Sequence, residues 1–121
     1  MQNAAQAYGA VAKQIANPRE LEADLLLKAA SQMQAVYDGW DRKRSDLDLA
    51  LRYNRKLWTI FLSSVTDSAH GLPVEIRQNV ASLGMFVMNQ TVAMLSEPKR
   101  ESLHALININ RELAAGLLGR A

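Results

Sequence analysis

The side chains that could carry out acid–base or metal chemistry are few and scattered along this chain. Cysteine is absent, which removes thiolate catalysis and cysteine-bound zinc. The two histidines, His70 and His104, belong to no HExxH motif. No glycine-rich phosphate loop and no GxSxG turn is present. We therefore expect a protein that is not an enzyme, with no catalytic residue, metal ligand or cofactor site.

Three acidic residues lie close together near the start of the chain, namely Glu20, Glu22 and Asp24. In a di-metal helical bundle, such carboxylates are matched by a Glu-x-x-His pair on facing helices. The sequence contains a single Glu-x-x-His, from Glu101 to His104, whereas such a site needs one on each of two helices. We interpret these acids instead as favourable charges near the positive end of a helix dipole.

Amide side chains within apolar patterns form a second group of informative residues. Asn54 falls in an apolar stripe, and Asn108 and Asn110 flank Ile109. A buried amide costs free energy unless it is hydrogen-bonded, and one that is bonded can fix the register of packed helices. The amides therefore either set helix register or bind the backbone of a partner segment.

Basic residues cluster at one place, in a turn and the helix that follows it. The net charge is only +2, from 14 basic and 12 acidic residues, so the sequence disfavours nucleic acid as the partner. Readers of single-stranded RNA add exposed aromatic rings for stacking, and only Tyr37 and Trp40 lie nearby. The candidate basic surface consists of Arg42, Lys43, Arg44, Arg52 and Arg55.

The elements that must position these residues are helices, since apolar residues recur at spacings of three and four and no segment alternates with period two. The first long helix starts at the cap Asn17-Pro18 and ends near Gly39. The second starts at the cap Ser45-Asp46 and ends before the loop that leads to Pro73. Proline and glycine also bound two further helices. The third helix begins at Pro73 or Val74 and ends at Ser96-Glu97-Pro98, and the fourth begins after Pro98 and ends at Gly119.

The predicted fold is therefore all-α, with four long helices plus a short N-terminal helix, joined by short loops in an up-down bundle. One domain is expected over residues 1–121, in which residues 17–121 form the bundle. Residues 1–16 are weakly anchored, because the segment Ala4 to Ile15 has few large apolar side chains. No apolar run is long enough to cross a membrane and no signal peptide is visible, so we expect a cytoplasmic protein without membrane insertion.

The second helix is apolar over more than half its circumference, which predicts a central position in the bundle. Its main stripe is Leu47, Leu51, Asn54, Trp58, Phe61 and Val65, and a second row is Ala50, Tyr53, Leu57 and Ile60. For the third helix, the predicted buried face is Ile76, Val80, Leu83, Val87 and Met94, widened by Met85, Phe86 and Met88.

Five separated segments make the chain resemble the FlaF family of alphaproteobacterial flagellar-biosynthesis proteins. The resemblance covers essentially the whole chain. It implies a small cytoplasmic, non-enzymatic factor needed for flagellin production or export, which functions alongside a second regulator, FlbT. The segments that carry the resemblance are AAQAYG at 4–9, NPRELE at 17–22, YNRKLW at 53–58, RQNVASLG at 77–84 and ININREL at 107–113.

Two hypotheses follow for the function. In the first, the bundle is a flagellin secretion chaperone, and an apolar groove covers an amphipathic segment of flagellin. In the free protein, the N-terminal helix occupies this groove and swings away for flagellin. The second is a post-transcriptional regulator that acts on flagellin mRNA or through FlbT, with the basic surface as its contact. Direct contact with FlbT and homodimerisation through the broad apolar face both stay open. The candidate flagellin-binding residues are Tyr8, Tyr53, Asn54 and Trp58.

Overall fold

The computed structural model describes residues 18–67 and 71–120, and within these ranges it contains four α-helices and no strand. The all-α prediction is therefore confirmed. The predicted N-terminal helix, the cap at Asn17 and His70 lie outside the described residues. The helices are α1 (Pro18–Asp38), α2 (Leu47–Val65), α3 (Val74–Ser96) and α4 (Arg100–Leu117), with a 3₁₀ turn at Arg44–Asp46.

Proline and glycine bound the helices largely as the sequence predicts. Pro73 directly precedes α3, and Gly119 follows α4 with a φ of 73°, in the left-handed region that favours glycine. The predicted cap at Ser45-Asp46 is wrong, because no side chain there hydrogen-bonds the start of the helix. Asp46 already has helical dihedral angles (φ −87°, ψ −10°) because the 3₁₀ turn continues into α2, and its carboxylate caps no helix N–H. A capping side chain needs an extended backbone to reach back to the helix.

The helices run alternately up and down. Ala35 of α1 and Leu49 of α2 line one end of the same cleft, whereas Leu21 and Ile60 line the other end. Between α1 and α4, the Arg100 Nε donates to the Tyr37 carbonyl oxygen at 3.1 Å. The first helix and the last are therefore also antiparallel, which closes the bundle.

The main apolar stripe of α2 faces the core, as predicted. All six of its members are buried, with at most 4% of any side chain exposed. The helix packs against α1 on one side and α3 on the other, and its Trp58 reaches α4 through a hydrogen bond. Thus α2 touches each of the other three helices.

The predicted buried face of α3 is partly wrong. Val80, Val87 and Met94 are buried, together with Gly84 and Thr91, which the apolar pattern did not include. These five residues form one narrow face, because α3 packs mainly against α2 and meets α4 much less. The predicted core residues that are exposed instead are Ile76 (45%), Leu83 (37%), Met85 (62%) and Phe86 (44%).

Gly84 allows the close approach of α3 to α2. A Cβ atom built at Gly84 would lie 2.5–2.9 Å from three side-chain carbons of Leu62, closer than real Cβ atoms approach. Gly116 of α4, by contrast, would present its Cβ to open space. A glycine inside a helix costs about 1 kcal/mol relative to alanine. The close contact with Leu62 explains why α3 has a glycine at position 84.

Alanine substitutions at the two glycines are expected to shift stability in opposite directions. Gly116→Ala should raise the free energy of unfolding by about 0.5–1 kcal/mol through helix propensity. Gly84→Ala should lower the same quantity by about 1 kcal/mol, since overpacking against Leu62 outweighs that gain. Urea unfolding monitored by far-UV circular dichroism measures both values. An equal gain in the two variants would contradict the close packing of α2 and α3.

Candidate partner-binding site

A surface groove runs between α1 and α2 and is lined mainly by apolar side chains. At one end it opens into a depression of about 590 Å³, whose lining includes Ala35 and Val36 of α1 and Leu49, Ala50 and Tyr53 of α2. This depression adjoins the turn between the two helices.

The groove continues toward the other end of the same helix pair. A second depression of about 190 Å³ lies there, between Leu21 and Leu25 of α1 and Leu57, Ile60 and Phe61 of α2. We call the two depressions together the α1–α2 groove. Its α2 side follows one helix face, because successive lining residues recur at spacings of four, four and three: Leu49, Tyr53, Leu57 and Ile60.

Two large apolar side chains in this groove are strongly exposed to solvent. Leu49 is 70% exposed and Ile60 is 60% exposed, one in each depression. Single exposed apolar residues are ordinary, but a contiguous apolar strip with charged edges is typical of an interaction site. The second apolar row that the sequence placed on α2 thus lies largely in this groove, and only Ala50 of that row is fully buried.

The rim of the groove is mainly basic. Lys43, Arg52 and Lys56 border the larger depression together with one acid, Asp46, and Lys28 lies over the ring of Tyr53 at 5.8 Å from its centroid. Arg52 is paired with Asp48, its Nε being 2.7 Å from a carboxylate oxygen, and Glu22 borders the smaller depression. The groove therefore combines an apolar floor with an edge of both signs in which basic residues are in excess.

The four binding residues predicted from the sequence do not share one surface in the structure. Tyr53 is half-buried and lines the groove, as a contact residue would. Asn54 and Trp58 are fully buried in the core, so neither forms part of a surface of the folded bundle. The sequence stripe that contains them is the one that faces inward, which is why they were misplaced. Tyr8 lies outside the described residues.

Asn54 and Trp58 belong to a hydrogen-bonded network centred on Asn110. The indole Nε1 of Trp58 donates to Asn110 Oδ1 at 2.9 Å. Asn110 Nδ2 donates to Asn54 Oδ1 at 2.7 Å and to the Leu26 carbonyl oxygen at 3.2 Å. One buried amide thereby links α1, α2 and α4. Of the two alternatives for the amides, the structure favours helix register for Asn54 and Asn110, while Asn108 is exposed.

The basic surface is accessible, but its neighbouring aromatic rings are already engaged. Arg44 stacks over Trp40 with its guanidinium carbon 4.7 Å from the ring centroid. Tyr37 carries Arg100 over its ring at 4.3 Å and lies 5.4 Å from the ring of His104. Both aromatic residues are half-buried against the core. The residues of the basic surface, Arg42, Lys43, Arg44, Arg52 and Arg55, are all exposed.

Sequence reasoning missed several residues of the groove. Leu49 was not assigned to any stripe, although it precedes Tyr53 by four residues and Ile60 by eleven. Leu21 and Leu25 begin an apolar stripe that reaches the core at Ala29 and Met33, but both leucines are half-buried at the groove. The signal that could have found them is the second apolar face, on α1 as well as on α2.

No helix in the described ranges combines the length and apolar character needed to span a bilayer. Among known proteins, the family model described as "Flagellar protein FlaF" matches residues 4–117 of this chain. No curated protein and no solved structure matches it. The family match extends over all four helices and the connecting turns, and it agrees with the resemblance that the sequence segments carry. The chain therefore belongs to the FlaF family of flagellar proteins.

Proposed function

We propose that this flagellar protein is a cytoplasmic flagellin-binding factor, which holds an amphipathic helical segment of flagellin in the α1–α2 groove as a secretion chaperone for flagellum assembly. The observation that carries the proposal is the pair of exposed apolar residues in the groove, Leu49 and Ile60. A client helix would cover both.

The dimensions of the groove suit a short amphipathic helix. Leu49 and Ile60 lie eleven residues apart on α2, a rise of about 16 Å. That distance corresponds to roughly three turns of a docked helix, which supplies anchor residues at positions i, i+3 or i+4, and i+7. Flagellin segments that remain unfolded until assembly need such cover for their apolar face, since exposed apolar helices aggregate.

The basic rim adds a requirement on the client segment. Lys28, Lys43 and Lys56 border the apolar floor, so a bound helix with acidic residues beside its apolar face would meet opposite charges. Charges at the edge of an interface mainly affect the rate of association and the choice of partner. The affinity itself would come from the apolar contacts.

The second candidate is regulation of flagellin synthesis through flagellin mRNA or FlbT. The exposed basic turn Arg42-Lys43-Arg44 is the observation in its favour. Arginines already stack over the rings of Tyr37 and Trp40, which weakens the RNA alternative, although Tyr53 also lies beside Lys43 and Arg52. We therefore rank flagellin binding first.

Salt dependence distinguishes the two candidates. Flagellin binding through the groove should change by less than about threefold between about 0.05 M and about 0.5 M NaCl, because apolar contacts are not screened. Binding to RNA by several phosphate contacts should fall by orders of magnitude over the same range. Pull-down of purified flagellin measures the first interaction, and fluorescence titration of flagellin mRNA measures the second.

Charge reversal of Arg42, Lys43 and Arg44 together provides the matching variant. It should leave flagellin binding nearly intact at physiological salt, since the turn lies at the edge of the groove and not on its floor. Loss of flagellin binding in this variant, with unchanged circular dichroism, would move the proposal to the basic surface.

A further inference from the structure

The outward face of α3 is unusual because it carries no charge. From Gln78 to Ser96 the chain has no Asp, Glu, Lys or Arg, a stretch that covers all but the first turn of the helix. Met85 (62%), Phe86 (44%) and Val92 (61%) are strongly exposed there. The exposed residues opposite the buried face, which we call the neutral face, are Ser82, Met85, Phe86, Asn89, Val92, Ala93 and Ser96.

The other helices differ in this respect. Exposed charged residues occur along each of them, for example Asp24 on α1, Arg55 on α2 and Arg111 on α4. A surface helix normally directs charged or polar residues to solvent, and a helix that is hydrophobic all round is normally buried. Helix α3 buries only its narrow face against the bundle. Its neutral face lacks charge and carries a Met and a Phe, which are features of an interface core, together with small Ser and Ala residues.

We propose that a second copy of this chain covers the neutral face, with the two α3 helices packed antiparallel about a twofold axis near Asn89. In a twofold pair a face meets itself, so a net charge on that face would be repelled by its own copy, and a face without charge avoids this repulsion. A charged partner would find nothing to pair with there, in contrast to the mainly basic rim of the α1–α2 groove. The neutral face is thus suited to self-pairing.

The spacing and size of the side chains fit this arrangement. Ser82, Met85, Asn89, Val92 and Ser96 recur at spacings of three and four, so they form one stripe along the outward side of the helix, flanked by Phe86 and Ala93. In an antiparallel pair centred on Asn89, residues equidistant from it lie opposite one another. The large Met85 then faces the small Ala93.

The remaining positions of the pair are also compatible. Phe86 faces Val92, Ser82 faces Ser96, and Asn89 faces its own copy. An asparagine amide both donates and accepts hydrogen bonds, so two of them can pair across a twofold axis. A single polar residue at such a seam can fix the register of the pair. The seam from Ser82 to Ser96 is about 21 Å long.

The oligomeric state in solution tests this proposal. Sedimentation equilibrium over a range of concentrations should show a reversible dimer, and Val92→Glu should raise its dissociation constant by at least about tenfold, since two carboxylates would enter the seam. Ile60→Glu is the matched control, because Ile60 has nearly the same exposure (60% against 61%) but lies in the groove. It should leave the dimer unchanged. A monomer at all concentrations, or a dimer that Val92→Glu does not weaken, would overturn the proposal.

A cysteine at the proposed axis tests the geometry separately. Because the chain has no cysteine, Asn89→Cys introduces a single thiol. Close to a twofold axis, the two Cα atoms lie within the 4.4–6.8 Å that a disulfide allows, so mild oxidation should link the chains into a covalent dimer. Leu49→Cys, in the groove, should remain unlinked under the same conditions. Equal cross-linking of both variants, or none in Asn89→Cys, would refute the antiparallel pairing. This result is independent of flagellin binding, so it separates failure of the dimer from failure of the proposed function.

Discussion

Asn110→Ala is expected to lower the free energy of unfolding by about 3–5 kcal/mol. The substitution removes the acceptor for the Trp58 indole N–H and the donor to Asn54, and both groups are fully buried. Buried polar groups left without a partner each cost about 1–3 kcal/mol, in addition to the cavity. Urea unfolding followed by Trp fluorescence and circular dichroism measures the loss.

Asn54→Ala is the matched control for this prediction. It removes a buried amide of the same size, but Asn110 keeps its bonds to Trp58 and Leu26. The Asn54 amide nitrogen also has no hydrogen-bond partner among the described residues, so its deletion removes an existing cost. We expect Asn54→Ala to be less destabilising than Asn110→Ala by about 2 kcal/mol. Equal losses in the two variants would mean that the hydrogen bonds of Asn110 add nothing to stability and that the cavity alone accounts for the loss.

Ile60→Glu is expected to lower the affinity for flagellin by on the order of 100-fold, or about 3 kcal/mol. The substitution removes an apolar anchor and places a carboxylate where the client helix would exclude water. Because Ile60 is 60% exposed in the free protein, the bundle itself should change in stability by no more than about 0.5 kcal/mol. Isothermal titration calorimetry with purified flagellin measures the affinity.

Val92→Glu serves as the control for this prediction, since it introduces the same charge at an equally exposed apolar residue on α3. It should bind flagellin as the unmodified protein does. If Val92→Glu lost flagellin binding and Ile60→Glu kept it, flagellin would dock on the neutral face, and both the groove and the self-pairing of α3 would be wrong. Ile60→Glu is thus expected to weaken flagellin binding and not the dimer, and Val92→Glu to weaken the dimer and not flagellin binding.

The degree to which the sequence predicts this structure varies from helix to helix. In α2 the stripe from Leu47 to Val65 is separated from polar residues on the opposite side, so the spacing alone identifies its buried face. In α3 neutral and apolar residues surround the axis, and the pattern cannot tell Leu83, which is exposed, from Gly84, which is buried. At position 84 the close approach of Leu62, and not hydrophobicity, accounts for the buried residue.

The candidate site shows a similar limit. The sequence identified Asn54 as an amide in an apolar stripe, but its partner Asn110 lies 56 positions away, and only the fold brings the two together. The surplus of apolar positions on α2 placed Tyr53, Asn54 and Trp58 alike at the binding surface, and of these three the structure puts only Tyr53 in the groove. The α1 side of that groove depends on how α1 and α2 pack against each other. The periodicity of apolar residues within one helix does not predict this packing.

The central claim, that the α1–α2 groove is the flagellin-binding surface, can be tested most directly with single environment-sensitive fluorophores. The cysteine-free chain allows one label at a time, at Leu49→Cys in the groove or at Val74→Cys at the start of α3, two exposed apolar positions (70% and 55%) of which the second lies outside both proposed interfaces. Addition of purified flagellin should shift the emission of the Leu49→Cys label to shorter wavelength, as the docked helix excludes water, and should leave the Val74→Cys label unchanged. A shift at Val74→Cys without one at Leu49→Cys, or no shift at either position while flagellin is bound, would contradict the account.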